Sequence, residues 1–203
     1  MLAYHAIFTA YGFWLPNDPR GSWSQWVASW ELFRYGGPAT TVATRRSVAG
    51  ARHNAAQRVA VKQALKRPPV LFTGAQGLAI SRGFVTAIRK SGHSLLGCAI
   101  LPDHVHVVVR ASRHNPRRVI GHLKREAALQ LAAEDLHPFE RASKGRLPSC
   151  WAEGGWCVYL DDEVEVRRAI RYAERNPEKE GKRRQRWSFV EPWALTRRRD
   201  DAG

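Results

Sequence analysis

His104-Val105-His106-Val107-Val108-Val109-Arg110 is the stretch from which the rest of the chain can be read. Its β-branched residues favour a strand, and side chains in a strand alternate between two faces. Val105, Val107 and Val109 share one face, a natural core face. His104, His106, Val108 and Arg110 share the other. The two imidazoles then stand side by side, about 7 Å apart along the strand, close enough to chelate one metal ion.

Working outward, residues 94–101 (SLLGCAIL) read as a preceding strand, joined to this one by a tight Pro102-Asp103 connection. Residues 77–91 carry Leu78, Ile80, Phe84 and Ile88 near helical spacing, with Gly92 as a stop. On the other side, residues 116–134 form an amphipathic pattern through Val119, Ile120, Leu123, Ala127 and Leu131. A short strand follows over 156–160. A last helix runs from about Asp162 to Arg175, where Asp162 and Glu165 resemble a capping box and Asn176-Pro177 is expected to end it. The first strand lies within residues 4–14 and stops at the Pro, Asn and Gly cluster of 15–21.

Residues 16–76 read as an insertion. They hold Trp23, Trp26, Trp30 and Phe33, then a basic, Ala-rich stretch from Arg45 to Lys66 of helical character, closed by Pro68-Pro69. Without the insertion the order is βαββαβ plus one helix. This predicts an α+β, ferredoxin-like (split βαβ) antiparallel sheet with helices on one face and an extra C-terminal helix. Residues 1–181 would form one domain and residues 182–203 a basic tail.

The 203 residues carry a formal net charge of +15, and the sequence pI is about 10.7. A polyanion is therefore the expected partner, nucleic acid before an anionic membrane surface. An apolar fraction of 44%, with eight Trp, seven Phe and five Tyr, excludes a disordered chain. Cys98, Cys150 and Cys157 show no CxxC spacing, which argues against a disulfide framework or a thiolate zinc site. The apolar stretch 6–15 has no basic segment before it and no small-residue cleavage site after it. No apolar run approaches the roughly 18–20 residues of a membrane span. The expectation is a soluble, cytoplasmic, nucleoid-associated protein with no membrane partner.

An HxH pair serves several chemistries. A histidine-triad nucleotide hydrolase needs a third His at the next same-face position, which here is Val108. A two-histidine phosphodiesterase needs a second His motif, and none is found. A His-rich zinc hydrolase needs a further ligand, for which His122 and His137 are available. On the last helix, Tyr172 and Asn176 lie four residues apart and share a face. They flank a packing stripe of Val166, Ala169, Ile170 and Ala173, with Arg168, Arg171 and Arg175 nearby. Positive charge and a metal together favour phenolate over phenol.

The set Leu101-Pro102-Asp103-His104-Val105-His106, a Trp-containing strand at Trp151 to Trp156, and a helix ending Tyr172-Ala173-Glu174-Arg175-Asn176-Pro177 resembles the IS200-like, REP-associated tyrosine transposases of the single-tyrosine HUH class. Tyr4-His5-Ala6-Ile7-Phe8 is similar to that family's first strand, and the resemblance covers roughly residues 1–15 and 77–181. It implies that His104 and His106 bind a divalent ion, Mg²⁺ or Mn²⁺, with Asn176 as a third ligand. It further implies that Tyr172 attacks a DNA phosphodiester, giving a 5′-phosphotyrosine and a free 3′-OH, on single-stranded DNA with a nearby hairpin. It leaves open whether a homodimer forms.

Basic residues interleaved with aromatics suit single strands. Candidates for DNA contact are Arg117, Arg118, Lys124 and Arg125 on the second helix, Arg168, Arg171 and Arg175 beside the tyrosine, and Lys182, Arg183, Arg184, Arg186 and Trp187 in the tail. Two alternatives stay open at this point: a non-catalytic single-strand-binding module, and a metal-dependent nuclease using water with Tyr172 structural.

Overall fold

The computed structural model describes residues 1–13, 55–140, 145 and 147–193. The turn at 15–21, the aromatic cluster Trp23 to Phe33 and residues 45–54 of the basic stretch lie outside the described residues, as do residues 194–203 of the tail.

Four strands form one antiparallel sheet: β1 (Ala3–Thr9), β2 (Leu95–Ile100), β3 (His104–Arg110) and β4 (Trp156–Leu160), in the order β2-β3-β1-β4. The helices are α1 (Ala55–Gln63), α2 (Gly74–Ser91), α3 (Pro116–Ala133) and α4 (Glu163–Lys179). This is the ferredoxin-like order, in which each βαβ crossover leaves room for a strand between its two ends. Within the expected insertion, α1 is the helical part that the structure describes.

Alternation on the central strands divides the molecule. Tyr4, Ala6 and Phe8 of β1 and Val105, Val107 and Val109 of β3 point to one face. There they meet Ile80 and Phe84 of α2 and Val119, Leu123 and Ala127 of α3 in the main core. On the opposite face Ala3, Leu96, Val108 and Leu160 meet Val166, Ala169 and Ala173 of α4 in a smaller cluster. The register pairs Ile7 with His106 and His5 with Val108, so His5, His106 and α4 share that second face.

α2, α3 and α4 each start on a side-chain cap. Thr73 and Gln76 form a complete capping box on α2. Asn115 caps α3 ahead of Pro116. On α4, Asp162 accepts from the Glu165 amide at 2.8 Å, while Glu165 reaches back to the amide of Asp161 instead of that of Asp162. α4 does not stop at Asn176. It runs through Pro177 and ends on Gly181 at φ +67°, where the Lys182 amide bonds Pro177 O at 2.9 Å and the Gly181 amide bonds Glu178 O at 3.0 Å. That pair is a Schellman ending. A proline in the last turn forfeits one intrahelical bond, and the glycine that follows sets the true terminus.

The described part of the tail does not project. Gln185 bonds both the amide and the carbonyl of Ile100, at 2.8 and 2.7 Å, and the Glu191 amide bonds Leu95 O. This segment lines the open edge of β2, and Trp187 stacks on Phe189 beside Phe84.

Candidate active site

The site is built where the N-terminal end of β3, the middle of β1 and the exposed side of α4 come together. His104 opens β3 directly after the two-residue link Pro102-Asp103, and the Leu101 amide closes that turn on His104 O at 2.9 Å. Asp103 Oδ1 lies 2.7 Å from His104 Nδ1. An ionised carboxylate only accepts hydrogen bonds, so His104 Nδ1 carries the proton and its lone pair is on Nε2.

His106 Nε2 stands 3.1 Å from His104 Nε2. On its other side, His106 Nδ1 is 3.0 Å from Nε2 of His5, with the two rings stacked at 5.2 Å. Burial holds both imidazoles well below the ordinary histidine range, His5 at about 4 and His106 at about 2, the latter helped by the neighbouring His104, His5 and Lys179. Both are neutral at neutral pH, the form that ligates a metal.

Tyr172 lies edge-on to both, 5.5 Å from the His106 ring and 5.8 Å from the His5 ring. It is 43% exposed, and the ammonium of Lys179 sits 4.0 Å from its ring centre. Asn176, one turn on, is buried. One turn further, a Glu180 carboxylate oxygen falls within 4.8 Å of ligand atoms of Asp103 and His104. The face bearing Tyr172, Asn176 and Glu180 thus spans the histidine pair from end to end.

The donor set fits a divalent ion. Two imidazole Nε2 atoms 3.1 Å apart can share one ion at metal–nitrogen bonds of about 2.0–2.1 Å. Each is oriented by a partner on its other nitrogen. Glu180 brings a hard carboxylate oxygen within 4.8 Å of His104 and Asp103, while Asp103 itself is engaged at His104 Nδ1, on the far side of the ring from the Nε2 pair.

Of the expected DNA contacts, Arg168, Arg171 and Arg175 line a groove of about 500 Å³ together with Tyr172, Glu178 and Lys179. Arg117 and Arg125 belong to a separate, larger groove of about 1160 Å³ on the α3 side, and Arg118 is exposed on the first turn of that helix. Lys124 is differently engaged: its ammonium donates to the carbonyls of Ala152 and Gly154, and burial lowers its pKa to about 8. Trp187 is packed inward, and Arg184 and Arg186 border a cavity with it and Trp193. Arg184 pairs with Glu174, and Lys182 with Glu180 at 3.3 Å. Arg183 is exposed.

Four residues of the site escaped sequence reading: His5, Asp103, Lys179 and Glu180. Asp103 beside a ligand-type histidine was a usable signal, as was the i, i+4, i+8 spacing of Tyr172, Asn176 and Glu180. His5 gave none, because only the β1–β3 register brings it to His106.

No protein-family model and no curated protein matches the chain. Among solved structures, it is similar to a REP-associated tyrosine transposase bound to a REP hairpin, at TM-score 0.42 and 15% identity over 53% of this chain. The chain spans 58% of that protein's length. It is also similar to a Deinococcus radiodurans protein provisionally named a transposase, at TM-score 0.39 and 12% identity, over 91% of this chain and 92% of the other. Both likenesses are faint, and the reading of the site stands on its own geometry. No helix among the described residues is long and apolar enough to cross a membrane.

Proposed function

We propose that this chain is a transposase-type nuclease of the single-tyrosine HUH class, which cleaves and rejoins single-stranded DNA through a covalent 5′-phosphotyrosine. The observation that carries this reading is the contact of Tyr172 with His106, whose Nε2 meets that of His104, while Tyr172 itself lines a groove with Arg168, Arg171 and Arg175.

The phenolic oxygen of Tyr172 attacks phosphorus, the bond to the 3′ oxygen breaks, and the free 3′-OH leaves. The phosphodiester is exchanged for a tyrosyl phosphodiester, so rejoining needs no nucleotide cofactor. Arg168, Arg171, Arg175 and Lys179 hold the DNA phosphates against the tyrosine, and Arg117, Arg118 and Arg125 offer a second basic face. His104 and His106 would hold Mg²⁺ or Mn²⁺ through Nε2, with Asn176 and Glu180 offering oxygen from the end of α4 and Asp103 orienting His104 through Nδ1. Such an ion, when bound, supplies Lewis acidity toward the scissile phosphate. Tyr172, exposed on α4, has the access to solvent that a DNA strand requires. We place the protein in the cytoplasm, at the nucleoid.

The test is a denaturing gel of the protein with labelled single-stranded hairpin oligonucleotides from its own flanking DNA, in Mn²⁺ or Mg²⁺. The expected result is a covalent adduct that is lost in Tyr172→Phe, in His104→Ala and with EDTA. Cleavage without an adduct would establish a water-using nuclease instead, and binding without cleavage a single-strand-binding module.

A further inference from the structure

His5 is a buried titratable group at the site that the reaction above leaves without a role. It is 7% exposed, lies on a central strand, and is 101 positions away in sequence from the residue it bonds. A hydrophobic residue would fill that place at lower cost unless the imidazole were needed.

A hydrogen bond between two neutral imidazoles needs one N–H and one lone pair. Two directions are available to the His5–His106 pair. If His5 Nε2 donates, His106 Nδ1 accepts and His106 keeps its proton on Nε2, the atom that faces His104. That tautomer cannot ligate through Nε2. If His106 Nδ1 donates, His5 Nε2 accepts and the lone pair of His106 turns toward His104. Asp103 settles the same question for His104 from the other side, through Nδ1. The two ligand histidines thus have different orienting partners, a carboxylate for one and an imidazole for the other.

We infer that His5 is a positioning residue: it accepts the Nδ1 proton of His106 and thereby selects the tautomer whose Nε2 is open to a divalent ion. The inference rests on the metal-site reading above and adds to it the residue that makes His106 a ligand. His5 also stacks on His106 and meets the edges of Tyr172 and Trp156, so ring orientation and tautomer are set by one side chain. Carboxylates, carbonyls and waters are the usual partners of a ligating histidine, and their loss weakens metal affinity by about 10–100-fold. A neutral imidazole does the same work without adding a negative charge.

Two measurements test this. In ¹⁵N-labelled full-length protein loaded with Zn²⁺ as a diamagnetic probe, His106 Nδ1 is expected to be protonated and to show a nitrogen–nitrogen coupling across the hydrogen bond to His5 Nε2. An unprotonated His106 Nδ1 in that state would overturn the proposal. Separately, Mn²⁺ binding is followed by electron paramagnetic resonance. His5→Phe, which keeps a ring but no acceptor, is expected to weaken binding by about 10–100-fold, and His5→Gln, whose amide oxygen can accept, to recover most of the loss. Equal Mn²⁺ affinity in wild type and His5→Phe would also overturn it. Should His5→Phe fail to fold, His5→Gln and the coupling measurement still decide. His106→Ala separates the two readings: if it leaves Mn²⁺ binding intact, the metal site itself is wrong, whereas sensitivity to His106 with indifference to His5 sinks only the present inference.

Discussion

The two faces of the sheet are made from the same strands and are built for different ends. The face under α2 and α3 is continuous apolar packing, in which Phe8 meets both Phe84 and Trp151 edge to face and Val105, Val107 and Val109 fill the floor. The face under α4 carries few apolar residues, and beside Val108 and Ala173 it places His5, His106 and Asn176. A polar group buried there must be satisfied by a partner, and each such partner fixes an orientation. The first face therefore supplies stability, and the second gives up apolar area for chemistry.

That division can be broken by mutation. Tyr172→Phe is expected to cut adduct formation at least ~10³-fold while leaving thermal unfolding nearly unchanged, since the hydroxyl belongs to a half-exposed ring. A matching drop in melting temperature would show that the α4 face also bears the fold. The reverse experiment is Gly83→Val. A Cβ at Gly83 would stand 2.5 Å from Ala127 Cα and 2.7 Å from Glu126 O, so α2 and α3 must separate. We expect a loss of about 3 kcal/mol in chemical denaturation, with adduct yield per folded molecule unchanged.

A smaller effect sharpens the contrast at the edge of the apolar face. Glu126 is buried there and bonded to Lys90 at 2.8 Å, and that hydrogen bond holds its pKa below the usual carboxylate range. Its stabilisation is present above the unfolded pKa and is lost as pH falls through the lowered folded value. Lys90→Met should cost about 1–2 kcal/mol at neutral pH, a figure reduced because the lysine is more than half exposed. The gap from wild type should close in acid, and urea titrations at several pH values would show whether it does. The smallest effect belongs to Gln185→Ala, about 1 kcal/mol, since β2 loses two bonds at an edge that water can reach. Faster hydrogen exchange at the Ile100 amide is its signature.

Much of this was legible from local pattern. Alternation along 104–110 assigned each valine and histidine to its face, and the stripe Val166, Ala169, Ala173 marked the side of α4 that is buried. What local pattern missed has identifiable causes. Asn176-Pro177 looked like a terminus because proline disfavours helix, yet in a last turn the loss is a single bond and Gly181 decides the end. Composition likewise cannot show that the Lys124 ammonium is held by two carbonyls or that the Trp187 indole stacks on Phe189. His5 depended on strand pairing across a hundred residues, a tertiary fact that no window of sequence contains.

The strip along β2 has a consequence for the order in which the protein is made. Every residue of the histidine and tyrosine site precedes residues 185–193 in the chain, and those residues are what occupy the outer edge of β2. On the ribosome, then, the proposed nuclease centre is complete in sequence while one edge of its sheet is still unpaired. Such an edge invites pairing with another chain. Fragments that stop short of Gln185 should therefore aggregate or be degraded, which would keep truncated copies of the histidine and tyrosine site from persisting.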